Sequence, residues 1–276
     1  MKAMKPKALA RAVSLGLCMC AAVSAQAAVG PAGAINAGGA LDNIGYGAGG
    51  NVFELKPMLF VQGLGNANDP SSVVTLNPLL QYSFSVAGAG SSLMTIDYRI
   101  TNSSAVQSFN YLRFMLFTNP DGDSVNFLDT VKETWGAANT GDPVRREARE
   151  FTNPAATLLA SYQVNGNLTE GTDACLLGAG CDATVGLQWN AATLGPHESF
   201  LVRIGLSDDG QHLSSRFIDV TAVDAANTTL TLSGVSGVSA VPVPLSGVLL
   251  GSGFAGVLAS ARRRRRVAAS QCQAET

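Results

Sequence analysis

Two short acidic segments carry the side chains best suited to chemistry. In Asn119-Pro120-Asp121-Gly122-Asp123, the oxygens of Asn119, Asp121 and Asp123 alternate around a tight turn, a pattern that could offer hard ligands to Ca²⁺. The same five residues make a good type I β-turn. EF-hand spacing fails, because counting from Asp121 puts Lys132 where the bidentate glutamate belongs, with Glu133 one residue late. Asp208-Asp209-Gly210 carries the same two readings, metal ligand or hairpin turn. The chain has two histidines, His197 and His212, both in segments that read as turns. Ser214 and Ser215 follow His212 closely, but there is no G-x-S-x-G elbow to expose a nucleophile. No glycine-rich phosphate loop precedes a helix. The composition therefore reads as that of a non-catalytic protein with no resident cofactor, Ca²⁺ being the one candidate ion. Trp135 sits in a charged stretch and could stack a sugar ring, or it could pack on the core like Trp189.

Cysteine and charge place the chain. Cys175 and Cys181 bracket five residues and suggest a small loop disulfide, which an oxidising compartment would keep. Residues 28–239 hold nine basic and nineteen acidic side chains, a net charge of −10, against −2 for the whole chain. An acidic body of this kind is not built to bind nucleic acid.

The basic residues missing from the body are at the two ends. Lys2, Lys5, Lys7 and Arg11 precede an apolar stretch, Ala12 to Val23, and then Ala25-Gln26-Ala27. This is the pattern of a secretory signal peptide over 1–27, cut between Ala27 and Ala28, and it implies the Sec translocon and signal peptidase as partners. At the other end, Val241-Pro242-Val243-Pro244 is followed by an uncharged apolar run from Leu245 to Ala261. Five arginines come next, Arg262, Arg263, Arg264, Arg265 and Arg266, and residues 267–276 would form a cytoplasmic tail. The 17-residue run is slightly short of a ~30 Å hydrocarbon core at ~1.5 Å per helical residue, and the arginines fit the positive-inside rule.

Proline motif, apolar span and arginine cluster, in that order over 241–266, resemble the PEP-CTERM sorting signal in its VPLPA-like variant. Val243 stands where the variant has leucine. The resemblance implies recognition by an exosortase, a transient stay in the inner membrane of a Gram-negative cell, and delivery to the cell surface or extracellular matrix. Exopolysaccharide is then an expected partner.

Between these ends, period-2 alternation predicts strands. The clearest is Met94 to Thr101, with Thr95, Asp97, Arg99 and Thr101 on a wet face, closed by the turn cluster Asn102-Ser103-Ser104. Val52 to Val61, Val73 to Val86, Tyr111 to Phe117, Leu158 to Val164, Val185 to Trp189, Phe200 to Leu206, Phe217 to Val223 and Thr228 to Leu232 follow suit. Asp129 to Glu150 lacks alternation and reads as a short helix or a long loop. Residues 28–50 read as a flexible Gly/Ala-rich leader, and 232–240 as a linker. The expected fold is an all-β antiparallel sandwich over 51–231, immunoglobulin-like or jelly-roll. Ile96 to Ser104 and Leu194 to Phe200 resemble strand-and-turn segments of immunoglobulin-like bacterial surface domains. The functional expectation is an exosortase-sorted surface or matrix protein. A secreted carbohydrate-active enzyme and an uncleaved single-pass anchor are the alternatives.

Overall fold

Alternation of apolar and polar side chains gives one sheet a wet face along Leu80–Ala87 and Leu93–Asn102, whereas two strands of the other, Phe109–Asp121 and Ala183–Leu194, are buried on both faces for much of their length. The computed structural model describes residues 28–31, 35–47, 49–121, 128–150, 166–168, 180–223 and 228–240. In chain order the strands are β1 (Gly30–Pro31), β2 (Leu41–Tyr46), β3 (Gly50–Val61), β4 (Leu80–Ala87), β5 (Leu93–Asn102), β6 (Phe109–Asp121), β7 (Asp129–Trp135), β8 (Arg145–Glu150), β9 (Ala183–Leu194), β10 (Glu198–Ser207), β11 (Arg216–Ala222) and β12 (Thr229–Ala240). A single described helix, α1 (Pro70–Leu76), precedes β4. The first sheet runs β1-β2-β3-β6-β9-β8 and the second β4-β5-β10-β12-β11-β7, with antiparallel pairing throughout.

The sheets pack face to face, as the patterning predicts for a β-sandwich. Ile96, Tyr98 and Ile100 of β5 and Phe200, Val202 and Ile204 of β10 meet Leu112, Phe114 and Leu116 of β6 and Leu187 and Trp189 of β9 in one core. Tyr98 and Phe114 join the sheets with ring centroids 4.9 Å apart, and Trp189 lies 6.5 Å from Phe114. A smaller apolar cluster, Met58, Met115, Phe117 and Leu168, lies apart from this core. Residues 166–168 are held there by Gln188 of β9, whose Oε1 accepts from Leu168 N at 2.7 Å.

Four expectations need correction. The segment 28–50 is not a free leader: Val29, Leu41, Ile44 and Tyr46 are buried in the core. Tyr82 donates to the Gly38 carbonyl at 2.6 Å and Tyr98 to that of Gly39 at 2.9 Å. Its glycines made it read as a coil, but two buried phenols need carbonyl partners and these glycine backbones supply them. Nor is 232–240 a linker, since β12 continues through Ala240, pairing with β10 from Ser207↔Thr231 to Glu198↔Ala240. A ladder needs only backbone groups, so the sparse side chains of this stretch hide the strand. The run from Val73 to Val86 divides into α1 and β4 because Asp69 caps the helix, accepting from Ser71 N at 2.9 Å and Ser72 N at 3.3 Å, with Pro70 in the first turn. Asp129 to Glu150 holds two strands, β7 and β8, the edge strands of their sheets among the described residues. Charge on an edge strand discourages further pairing, which is why the expected alternation is missing there. Arg146 of β8 forms an ion pair with Glu133 of β7, tying the two edges together.

The registers define two ends of the sandwich. Asn102, Phe109, Leu194, Glu198 and Ala240 lie together at one, called here the exit end. Tyr46, Asp121, Asp129, Cys181 and Ser207 lie at or toward the other. Among the described residues no helix is long and apolar enough to cross a membrane. Residues 1–27, expected to be a signal peptide, the strand expected over 158–164, the apolar run 245–261 and the expected tail 267–276 lie outside the described residues.

Candidate functional site

The end away from the chain's exit gathers the carboxylates. Asn119 and Asp121 are not in a free turn; β6 runs on through both, pairing Asn119 with Glu54 and Asp121 with Asn51. Asp121 is buried, and Asp129, first residue of β7, is buried with it. Asp129 exchanges backbone hydrogen bonds with Cys181 at 2.7 and 2.9 Å, which ties the start of β7 to the segment leading into β9. Tyr46 is 2% exposed, and its hydroxyl has no hydrogen-bond partner among the described residues. Burial, then the charges of Asp129 and Asp121, push the phenol well above its ordinary range. The same end holds Asp208, whose Oδ2 accepts from Gly47 N at 3.1 Å. Asp123, the third oxygen of the candidate Ca²⁺ set, lies outside the described residues. Among the described residues no three His, Cys, Asp or Glu side chains converge as metal ligands. Sequence spacing pointed to Asn119, Asp121 and Asp123, but the fold brings Asp129 and Asp208 to this end instead, from strands remote in sequence.

The second acidic segment is a turn that satisfies itself. The Ser207 hydroxyl donates to Asp209 at 2.6 Å and the Gln211 amide at 2.7 Å. These two bonds, Ser207 first, hold the Asp209 carboxyl well below the usual carboxylate range. His212 stacks on Phe217 with ring centroids 4.4 Å apart, and its Nδ1 meets the carbonyl of Ser214, not a hydroxyl. The Ser214 hydroxyl donates to the Arg216 carbonyl at 2.6 Å, and that of Ser215 engages Asp142. His197 sits in the β9–β10 turn with φ of +55°.

Trp135 is the last residue of β7 and is half-buried, packed against the core instead of standing in a loop. The guanidinium groups of Arg146 and Arg216 lie 4.6 and 4.8 Å from its ring centroid. Cys181 is disulfide-bonded; Cys175, its expected partner, lies outside the described residues. A depression of about 370 Å³ on the wet face of the second sheet was not anticipated. Ser83, Ser85, Asp97, Arg99, Leu201 and Arg203 line it. Arg203 grips Asp97 through two parallel bonds of 2.6 and 2.7 Å. The signal was present in the polar half of the Met94–Thr101 alternation, but sequence cannot show which neighbouring strands complete such a face.

At the exit end the last strand runs directly into the proline motif. Ala240 is paired with Glu198, and Val241 is the next residue. The residues of the expected sorting motif, Val241, Pro242, Val243, Pro244 and Arg262 to Arg266, lie outside the described residues. The chain matches no protein-family model, no curated protein and no solved structure.

Proposed function

We propose that this is an exported, non-catalytic β-sandwich protein of the cell surface or extracellular matrix, carrying an N-terminal secretory signal and a C-terminal sorting signal read by an exosortase. The observation that carries this reading is the junction at Ala240. Ala240, the last described residue, is still paired with Glu198 in β12, and the Val241-Pro242-Val243-Pro244 motif follows it directly in the sequence. A cut at or beyond Val241 would therefore leave every described strand of both sheets intact. The disulfide at Cys181 and the body charge of −10 fit an oxidising, extracytoplasmic setting. An immunoglobulin-like or jelly-roll assignment is the finer form of the fold that accompanies this reading. Exopolysaccharide is the proposed partner, and the depression beside Ser83, Ser85 and the Asp97–Arg203 pair offers hydroxyls and charges that could hydrogen-bond sugar hydroxyls.

Intact mass spectrometry of protein recovered from surface and medium fractions of the native host tests the proposal. The expected species lacks residues 1–27 and everything from the proline motif onward. A chain that keeps its C-terminus and is found only in membranes overturns sorting in favour of a plain anchor.

A further inference from the structure

The exit end has a surface chemistry unlike the rest of the body. Four connections meet there: 62–69 after β3, 77–79 before β4, 103–108 between β5 and β6, and 195–197 between β9 and β10. They contain no Lys, Arg or Glu and a single Asp, Asp69, which is turned back onto the N-terminus of α1, its Oδ1 accepting from Ser71 N at 2.9 Å. Glu198, the first residue of β10, is likewise turned back to accept from Gly195 N at 2.6 Å. The three most exposed large apolar side chains among the described residues also collect here: Val106 at 89%, Leu76 at 68% and Tyr111 at 57%. Val106 tips the 103–108 loop, Leu76 ends α1 just before Leu80 pairs with Asn102, and Tyr111 is the third residue of β6. Single exposed apolar residues are ordinary; their convergence on one end that has no Lys or Arg in its connections and whose carboxylates are turned onto backbone N–H groups is not.

The loops are held rigidly. Asn102, fully buried, donates through Nδ2 to the carbonyls of Gln107 at 2.6 Å, Gly195 at 2.9 Å and Leu194 at 3.2 Å, and its Oδ1 accepts from Ser104 N at 3.0 Å. One side chain thus presents two of the four connections as a fixed surface.

Where the chain leaves this surface decides what covers it. Four residues separate Ala240 from Leu245, the start of the apolar run. Five residue steps span at most about 18 Å when fully stretched. The headgroup layer on one side of a bilayer takes up roughly 5–7 Å of that distance. The acidic end is a strand length away: twelve residues of β12 span about 40 Å, several Debye lengths. Tyrosine near such a boundary, ring inward and hydroxyl outward, is the usual interfacial arrangement.

We propose that the exit end of the sandwich, through Val106, Leu76 and Tyr111, rests on the phospholipid headgroup layer of the membrane that the C-terminal run enters. The inference depends on reading 245–261 as a membrane span, as in the function proposed above. It gives the body a fixed orientation before processing, with its apolar end on the lipid and the buried carboxylates Asp121 and Asp129 at the far end.

The test uses the full chain with Cys18, Cys20 and Cys272 changed to Ser, reconstituted into phosphatidylethanolamine–phosphatidylglycerol vesicles. An environment-sensitive fluorophore is placed in turn at Val106→Cys, Leu76→Cys, Asp209→Cys and Leu250→Cys. Lipids carrying a shallow nitroxide should quench labels 106 and 76 and leave 209 bright, with 250 quenched by a deep nitroxide. Label 250 quenched with 106 and 76 as bright as 209 overturns the docking while leaving the span intact. Label 250 unquenched overturns the span and the docking with it. Labels 106 and 76 shielded from aqueous iodide but untouched by lipid nitroxide mean that protein covers this end, which also overturns the proposal.

Discussion

The indole of Trp189 lies directly on the backbone of Gly234, joining the first sheet to the second at the strand that closes the sandwich. Trp189 Nε1 faces the Gly234 carbonyl at 3.4 Å, and a Cβ at position 234 would stand 2.7 Å from Cζ2 of the indole and 2.7 Å from the Arg203 carbonyl. Neither neighbour can yield, since one is backbone and the other a fully buried ring. Gly234→Ala should therefore destabilise the fold by about 1–3 kcal/mol, the usual range for overpacking. Urea unfolding followed by tryptophan fluorescence measures it. Gly237→Ala, where a Cβ meets nothing within 4 Å, should stay within about 0.5 kcal/mol of the parent.

Asn102 should be the most sensitive polar side chain at the exit end. Asn102→Ala removes the donor shared by the carbonyls of Gln107, Leu194 and Gly195; the bond to Leu194 is the buried one, and leaving that carbonyl unsatisfied should cost about 1–3 kcal/mol. Hydrogen exchange should show the loss of protection concentrated in 103–108 and 195–197, with β7 and β11 unchanged.

Alkali should unfold the protein steeply. Tyr46, Tyr82 and Tyr98 are raised above their ordinary value of 10.0, in each case first by burial. A folded-state pKa above the unfolded one gives stability that is complete below pH 10 and is lost as pH rises beyond it. The slope is about 1.4 kcal/mol per pH unit for each phenol. Tyr46→Phe separates this linkage from a lost hydrogen bond, because the Tyr46 hydroxyl has no partner among the described residues. The variant should keep its stability at neutral pH and lose about a third of the alkaline slope, read from thermal melts between pH 9 and about 11.

The Asp97–Arg203 pair, for all its ideal geometry, should contribute little. Both side chains are more than a third exposed, and a double-mutant cycle should return about 0.2–1 kcal/mol, falling with salt. Its conspicuous place in the depression is better probed by polysaccharide retention in Arg203→Ala than by stability.

Cys181→Ser should cost about 2–4 kcal/mol, as loss of a loop disulfide does. Non-reducing peptide mapping should recover Cys181 linked to Cys175, the pairing that spacing alone predicts.

What could be read in the sequence was what periodicity or spacing encodes. The Met94–Thr101 alternation gave β5 and its wet face, and Asn102-Ser103-Ser104 marked the turn, though not that Asn102 would hold two other loops. Asp69-Pro70 is a helix start in plain view, overridden in the reading by the β-branched valines that follow it. Residues 35–46 and 232–240 were missed for one reason: glycine and serine carry no pattern, while the partners that order them, Tyr82, Tyr98 and β10, are remote in sequence. The carboxylate end was likewise not legible, because Asp121, Asp129 and Asp208 share one end of the sandwich only through pairing between distant strands.

The place of β12 also has a consequence in time. It lies between β10 and β11 in the second sheet, so neither of those strands has its full complement of partners until the final residues before the proline motif arrive. A chain delivered from its N-terminus cannot close this sandwich early, and long-range strand pairing is slow to begin with. Completion of the fold therefore cannot precede the emergence of Ala240, and because strand pairing lags behind delivery, Val241 and the residues after it arrive while the sandwich is still closing.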